Sequence, residues 1–152
     1  MARIAEATGV AHAVRFTGAL AYEDVGAFMN RAALFVLPAY REPFGLVLLE
    51  ALACGCRVIT TNQAGPASFI PQALRATGDA VLVPGLSSIT PPEIESAGFV
   101  ERLTDELTNA FARPLHDEQR LAISRQIDHL TWDAHVATLA RLYRVLSTPR
   151  AS

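Results

Sequence analysis

Short apolar runs alternate with longer segments of helical spacing along the first half of the chain. Apolar and β-branched residues dominate four of these runs, at residues 14–18, 33–38, 57–61 and 80–84. Near-continuous apolar runs of this length are typical of parallel strands that are covered on both faces. The pattern therefore predicts a strand in each of the four runs.

Apolar residues at helical spacing lie between these runs and predict helices at residues 4–8, 22–32 and 45–54, with a weaker one at residues 66–76 that Pro71 interrupts. After Pro84 the spacing predicts helices only, the last of them beginning near Trp132. Strands that alternate with helices indicate βα units around a parallel sheet. We expect one α/β domain with a Rossmann-like sheet of about four strands and helices on both faces. Residues 1–84 would form its βα units, and residues 85–152 would be mainly helical.

The composition fits one globular domain. The chain has 152 residues, of which 51% are hydrophobic and 18% charged, so it can bury a substantial core. A net charge of −2 gives no general attraction to nucleic acid. All 13 basic residues are arginines. No apolar run approaches the roughly 18 residues that a transmembrane helix needs, so none is predicted.

Cysteine and histidine give no sign of a metal or redox site. Cys54 and Cys56 are two positions apart in an apolar segment, which is neither a Cys-x-x-Cys motif nor a zinc pattern. We expect two buried thiols in a reducing, cytoplasmic setting. The histidines are scattered along the chain, and neither a Walker loop nor a nucleophile motif is present. No metal or other cofactor is expected.

A carboxylate in an apolar segment is the first candidate for a functional residue. From Leu46 to Cys54 every residue is apolar except Glu50. An isolated buried carboxylate is costly unless it is paired or hydrogen-bonded. Local chemistry leaves three interpretations open: Glu50 extends its carboxylate to solvent from an apolar helix, it pairs with an arginine such as Arg57, or it accepts hydroxyl groups of a ligand.

The loop before this helix is the second candidate. It follows the strand predicted at residues 33–38, and open α/β sheets bind ligands beyond the carboxyl ends of their strands. Pro43 suits the start of a helix, and Gly45 allows a ligand to approach the backbone. The free N–H groups there favour an anion such as a phosphate. The alternative is an ordinary helix start at which Glu42 complements the helix dipole.

The segment PAYREPFGLVLLEALACGCRVITT resembles the C-terminal domain of retaining glycosyltransferases with the GT-B fold, a family that includes sucrose-phosphate synthases and bacterial mannosyltransferases. That domain carries a Glu-x7-Glu pair within E-P-F-G-L-x-x-x-E-A-x-A-x-G. The flanking segments VRFTGALAYEDVGAFMNRAALFVLPA and TWDAHVATLARLYRVL are similar to the family as well, with Trp132 and Tyr143 expected to anchor the last helix on the core. The motif residues are Glu42, Pro43, Phe44, Gly45, Leu46, Glu50, Ala51, Ala53 and Gly55.

The resemblance implies a role for each candidate. Glu50 would accept hydroxyl groups of the donor's ribose. Glu42, the catalytic residue, would contact the donor sugar. Backbone N–H groups of Phe44, Gly45 and Leu46 would hold the diphosphate. The substrate would be a nucleoside-diphosphate sugar, and the reaction a glycosyl transfer with retention, through stabilisation of the leaving diphosphate and of an oxocarbenium-like centre.

The chain also departs from the family. Where the family has Gly-Gly followed by a glutamate, this chain has Ala64, Gly65 and Ser68. The family's first two strands, its Arg…Lys pair and its acceptor-binding N-terminal domain are not found in the sequence. We therefore expect a partial GT-B domain that is inactive alone and belongs with a missing N-terminal portion or another protein chain. The alternative is a non-catalytic fragment or subunit that binds nucleotide weakly or binds a partner.

Overall fold

A three-stranded parallel sheet forms the centre of the fold. The computed structural model describes residues 2–39, 42–63, 65–85 and 92–147. The strands are β1 (Leu34–Leu37), β2 (Arg57–Thr61) and β3 (Ala80–Val83), in the order β1-β2-β3. In the register Phe35 lies opposite Val58, and Ile59 lies opposite Val81. Three of the four predicted strands and the parallel α/β architecture are confirmed.

Helices connect the strands and make up most of the described chain outside the sheet. The predicted helix at residues 66–76 is instead a 3-10 helix (Gly65–Phe69) followed by α4, since Pro71 separates the two. Two further 3-10 helices are Ala11–Ala13 and Asp128–Leu130. The α-helices are α1 (Ala2–Ala7), α2 (Tyr22–Arg31), α3 (Val47–Ala53), α4 (Gln72–Thr77), α5 (Pro92–Phe111), α6 (Asp117–Arg125) and α7 (Trp132–Ser147).

The strand predicted at residues 14–18 does not form. Among the described residues, no strand pairs with this segment, and its apolar side chains Val14 and Phe16 are 41% and 54% exposed. Its local sequence favours extended backbone, but a strand is stable only when a neighbour satisfies its backbone hydrogen bonds. The prediction was wrong because the pattern carries no information about whether that neighbour is present.

The hydrophobic core lies around β2 and α3. All five residues of β2 are buried, as expected for a central strand. The α3 side chains Leu48, Ala51 and Leu52 are fully inaccessible, which fits its apolar sequence. Further core residues come from the surrounding segments: Met29, Cys56, Ile70, Leu74, Ala80, Ile123 and Ile127.

Arg57 joins the start of β2 to the start of β3. Its side chain is 4% exposed, and its Nε donates to Asp79 Oδ1 at 3.0 Å. The guanidinium also donates to the carbonyls of Arg113 and Pro114. Arg113, which is more exposed, approaches the same carboxylate at 3.6 Å. These contacts hold the segment after α5 against the amino ends of the strands. Because Asp79 and the two carbonyls are the partners of Arg57, the suggested pairing of Glu50 with Arg57 was wrong.

Arg120 of α6 binds the carboxyl ends of two other helices. Its guanidinium donates to the carbonyls of Ala32 and Asn30, at the end of α2, at 2.5 and 2.7 Å. It also donates to the carbonyl of Cys54, at the end of α3, at 2.8 Å. Gly55, with φ of 72°, allows this approach, since a Cβ there would lie 2.6 Å from the Arg120 carbonyl oxygen. One side chain therefore stabilises two helix ends at once.

The beginning of α7 does not pack as predicted. Trp132 is 82% exposed, so the expectation that it anchors the last helix on the core was wrong. The side chain of Tyr143 lies outside what the structure describes. Within the described residues, no helix is long and apolar enough to cross a membrane.

Candidate functional site

The candidate residues lie at the carboxyl edge of the sheet. Parallel pairing brings the ends of β1 and β2 to the same edge, so the loops after them lie side by side. Two buried threonines hold this arrangement: Thr60 donates to the carbonyl of Leu37 at 2.9 Å, and Thr61 donates to the carbonyl of Ala39 at 2.5 Å. The loop that leads into the motif is thus fixed to the central strand.

The carboxylate of Glu42 binds its own loop. Its Oε1 accepts hydrogen bonds from the backbone N–H groups of Gly45 at 2.9 Å and Phe44 at 3.3 Å. These are two of the N–H groups that the resemblance assigns to the diphosphate. The N–H of Leu46 has no acceptor among the described residues. The loop presents donors to an anion, and in this structure a carboxylate occupies two of them.

The motif helix starts later than predicted. It begins at Val47 rather than Gly45, because Gly45 has a φ of 38°, outside the helical region. Turn-like hydrogen bonds lead into it, from the Leu48 N–H to the Gly45 carbonyl and from the Leu49 N–H to the Leu46 carbonyl. Pro43 therefore lies in the loop and not at the first helical position. A glycine suits position 45 because it adopts a positive φ without strain, a reason that the sequence did not reveal.

Glu50 lies in the first turn of α3 and faces α2. It is half-buried, and no described residue gives it a hydrogen bond or an ion pair. It lines a cavity of about 320 Å³ between the two helices, which we call the Glu50 cavity. The other lining residues are Tyr22, Glu23, Val25, Gly26, Met29, Ala53 and Cys54.

A second and larger cavity, the Trp132 cavity, has a volume of about 470 Å³ and no charged lining residue. Phe44 and Leu46 line it, and their side chains are 79% and 58% exposed. The structure thus separates the predicted site residues: Glu42 meets Phe44 and Gly45 in the loop, whereas Glu50 lines a different cavity. The remaining lining residues are Pro43, Leu49, Gly65, Phe69, Leu130, Thr131 and Trp132.

Gly65 holds the loop after β2 against the motif loop. Its N–H donates to the Glu42 carbonyl at 2.6 Å, and a Cβ at this position would lie 2.1 Å from the Pro43 carbonyl oxygen. Only glycine permits so close an approach of two backbones. The departure at Ala64 lies outside the described residues, and Ser68 donates to the Gly65 carbonyl at 3.2 Å. The sequence identified Gly65 only as part of a departure from the family and did not reveal this contact.

Both cysteines are free thiols. Cys56 is fully buried as predicted, whereas Cys54 is only half-buried and lines the Glu50 cavity. Burial raises the pKa of each thiol, and the nearby Arg120 guanidinium opposes this shift. Both therefore stay protonated at neutral pH, which does not favour a nucleophilic role. Across the described residues, no three His, Cys, Asp or Glu side chains are grouped so that they could hold a metal ion.

The first half of the chain matches a family of known proteins. The model of the family described as "Glycosyl transferases group 1" matches residues 1–83, which include all three strands and the motif. The chain belongs to the glycosyl transferases group 1 family. The match covers the βα units and ends with β3, so α5 to α7 lie outside it.

Individual relatives match between 55% and 88% of the chain. A glycogen synthase from Mycobacterium tuberculosis is 30% identical over 134 residues, which cover 88% of this chain and 29% of that protein. A D-inositol 3-phosphate glycosyltransferase from Streptomyces bingchenggensis is 35% identical over 83 residues, 55% of this chain and 17% of that protein.

The structural comparison gives the same family and extends over nearly the whole chain. The sucrose-phosphate synthase of Thermosynechococcus elongatus, a GT-B glycosyltransferase, aligns with a TM-score of 0.57 and 28% identity, over 95% of this chain and 33% of that one. The chain thus spans between about a sixth and a third of the length of these proteins.

Proposed function

We propose that this chain forms the donor-binding part of a retaining glycosyltransferase and holds a nucleoside-diphosphate sugar through Glu42 and Glu50. The observation that carries the proposal is Glu50 itself, a half-buried carboxylate that lines a cavity and has no hydrogen-bond or ion-pair partner among the residues that the structure describes. A carboxylate that no described residue satisfies is suited to ligand hydroxyls, which it binds in short, charge-assisted hydrogen bonds. Family membership makes a ribose the expected source of those hydroxyls.

Glu42 has two roles in this proposal. Without ligand its carboxylate binds the N–H groups of Phe44 and Gly45. When a diphosphate takes these N–H groups together with that of Leu46, the carboxylate is released and becomes free to contact hydroxyls of the donor sugar. Binding of the diphosphate would thereby position the catalytic carboxylate. No metal is needed for these contacts, and the two free thiols suit a cytoplasmic location.

Transfer itself is proposed for a polypeptide of the relatives' length, in which a further portion supplies the acceptor and the remaining contacts to the diphosphate. The chain alone is expected to bind the donor weakly and not to transfer the sugar. The sequence supports this view, because it contains no lysine that could bind the diphosphate together with an arginine.

Calorimetric titration with UDP-glucose, ADP-glucose and GDP-mannose tests the proposal. At least one of these donors should bind, and Glu50→Gln should weaken its binding at least tenfold, because a hydrogen bond to a charged group contributes about 1.5–3 kcal/mol. Glu101→Gln, at an exposed position of α5, is the matched control and should bind like the original chain. Equal affinity in the Glu50 and Glu101 variants would refute the role of Glu50.

A second candidate function is partner binding through β1. The outer edge of this strand has no neighbour among the described residues, and all four of its residues are only half-buried. An open edge of this kind can pair with a strand of another chain. A chain that binds none of the three donors but captures such a strand would favour this function.

A further inference from the structure

The Glu50 cavity lies between two helices whose carboxyl ends are close together. Met29, in the last turn of α2, and Cys54, directly after α3, both line this cavity. The width of the cavity at this end therefore depends on the distance between the ends of α2 and α3. A residue that binds both helix ends would set that width.

Arg120 of α6 makes such a bridge with a single nitrogen atom. Its Nη2 donates to the carbonyls of Asn30 in α2 at 2.7 Å and of Cys54 after α3 at 2.8 Å. The same nitrogen donates to the Met29 carbonyl at 3.4 Å, and Nη1 donates to the Ala32 carbonyl at 2.5 Å. The planar guanidinium holds its donors in fixed directions, so carbonyls bound to it are held at fixed positions as well.

A second side chain of α6 reinforces the α3 side of this bridge. The Ser124 hydroxyl donates to the carbonyl of Ala53 at 2.8 Å, and Ala53 also lines the cavity. Next to it, Ile123 is 2% exposed and belongs to the same core cluster as Leu52 and Met29. Because protein interiors are close-packed and transmit strain, a displacement of α6 would reach both walls of the cavity.

From these contacts we propose that Arg120 is a positioning residue of the donor site. It holds α2 and α3 at the separation at which Glu50 can bind the donor. This inference rests on the proposed function, because it takes the Glu50 cavity as part of the donor site. It extends the residues on which that site depends to α6, which lies outside the segment that the family model matches.

Cysteine labelling measures the width of the cavity without a ligand. The folded chain is treated with iodoacetamide, and mass spectrometry follows Cys54, which lines the cavity, and Cys56, which is fully buried. Arg120→Lys keeps a positive charge but loses the planar fork. It should raise the labelling rate of Cys54 about tenfold, since a lost hydrogen bond to a charged group shifts an opening equilibrium by that factor or more. Cys56 should stay protected.

The protection of Cys56 separates local opening from unfolding, because unfolding exposes both thiols. Arg113→Lys is the matched control. Arg113 also donates to carbonyls at a helix end, those of Thr77 and Gly78 at the end of α4, but α4 contributes no residue to the lining of the Glu50 cavity. This variant should leave the labelling rate of Cys54 unchanged.

Two labelling results would refute the positioning role alone. The first is an unchanged rate at Cys54 in Arg120→Lys. The second is an equal increase in the Arg120 and Arg113 variants, or an equal increase at Cys54 and Cys56, because the loss of any helix-end contact would then loosen the whole fold.

Donor affinity connects the two proposals. In calorimetric titration with UDP-glucose, ADP-glucose and GDP-mannose, Arg120→Lys should weaken binding about tenfold, within the roughly 5- to 150-fold range of coupled sites. Arg113→Lys should bind like the original chain. If Glu50→Gln weakens binding and Arg120→Lys does not, the proposed function stands and the positioning role is wrong. If the original chain binds none of the three donors, both proposals fail.

Discussion

Two interpretations of Glu50, as a ligand acceptor and as the structural partner of an arginine, predict different effects on folding. No described residue pairs with this carboxylate, so its removal leaves no buried charge without a partner. Substitutions away from such partnerships usually change the free energy of unfolding by less than about 0.5 kcal/mol. Glu50→Leu places an apolar residue of similar size among apolar neighbours, so we expect a change between zero and a slight stabilisation.

Asp79 is the matched control, because its carboxylate does have a buried partner. In Asp79→Asn the Arg57 guanidinium, 4% exposed, loses its counter-charge. Breaking a buried pair in this way typically costs about 3–5 kcal/mol. Arg57 keeps its hydrogen bonds to the carbonyls of Arg113 and Pro114. We therefore expect the lower end of that range, about 3 kcal/mol.

Thermal unfolding followed by circular dichroism compares the two variants. For a domain of this size, 1 kcal/mol corresponds to a Tm change of roughly 2–4 °C. Asp79→Asn should lower Tm by about 6–12 °C, and Glu50→Leu should change it by less than about 2 °C. If Glu50→Leu lowered Tm as much as Asp79→Asn, Glu50 would be a structural partner and its assignment to a ligand would be wrong.

Three further predictions concern other parts of the chain. Gly65→Ala should lower the free energy of unfolding by about 1–3 kcal/mol, as overpacking does, because its Cβ would clash with the Pro43 carbonyl; an unchanged melting temperature would contradict this contact. Because burial raises the pKa of the Cys54 and Cys56 thiols, the unfolded chain loses these protons at a lower pH than the folded chain. The free energy of unfolding should therefore fall as pH rises above about 9. Urea unfolding at pH 7 and pH 10, with a double alanine variant as control, measures it. The open edge of β1 should make the chain self-associate, so light scattering that shows one size at all concentrations would argue against it.

The strands show how far local sequence determines this fold. The apolar runs at β1, β2 and β3 were predicted correctly because each pairs with at least one of the others. Residues 14–18 have a similar local pattern but remain exposed without a partner. A strand depends on hydrogen bonds to residues distant in sequence, and an apolar pattern reports only that burial would be favourable.

The candidate site was predicted in part for the same reason. The loop after β1 and the carboxylate in α3 follow from short segments of sequence. The approach of Gly65 to the motif loop, the pairing of Arg57 with Asp79 and the exposure of Trp132 depend on chain segments that meet only in the folded protein. No periodicity within one element specifies such contacts.

The contacts of Arg120 have a consequence for the order of folding and for where the chain tolerates truncation. The ends of α2 and α3 belong to the part that the family model matches, but their carbonyls are bound by a residue of α6, some 66 to 91 positions later. The βα half therefore cannot complete these helix ends until the last third of the chain has been synthesised. A fragment that stops after β3 would expose both ends, and lysine at position 120 would not replace the planar fork that reaches two helices.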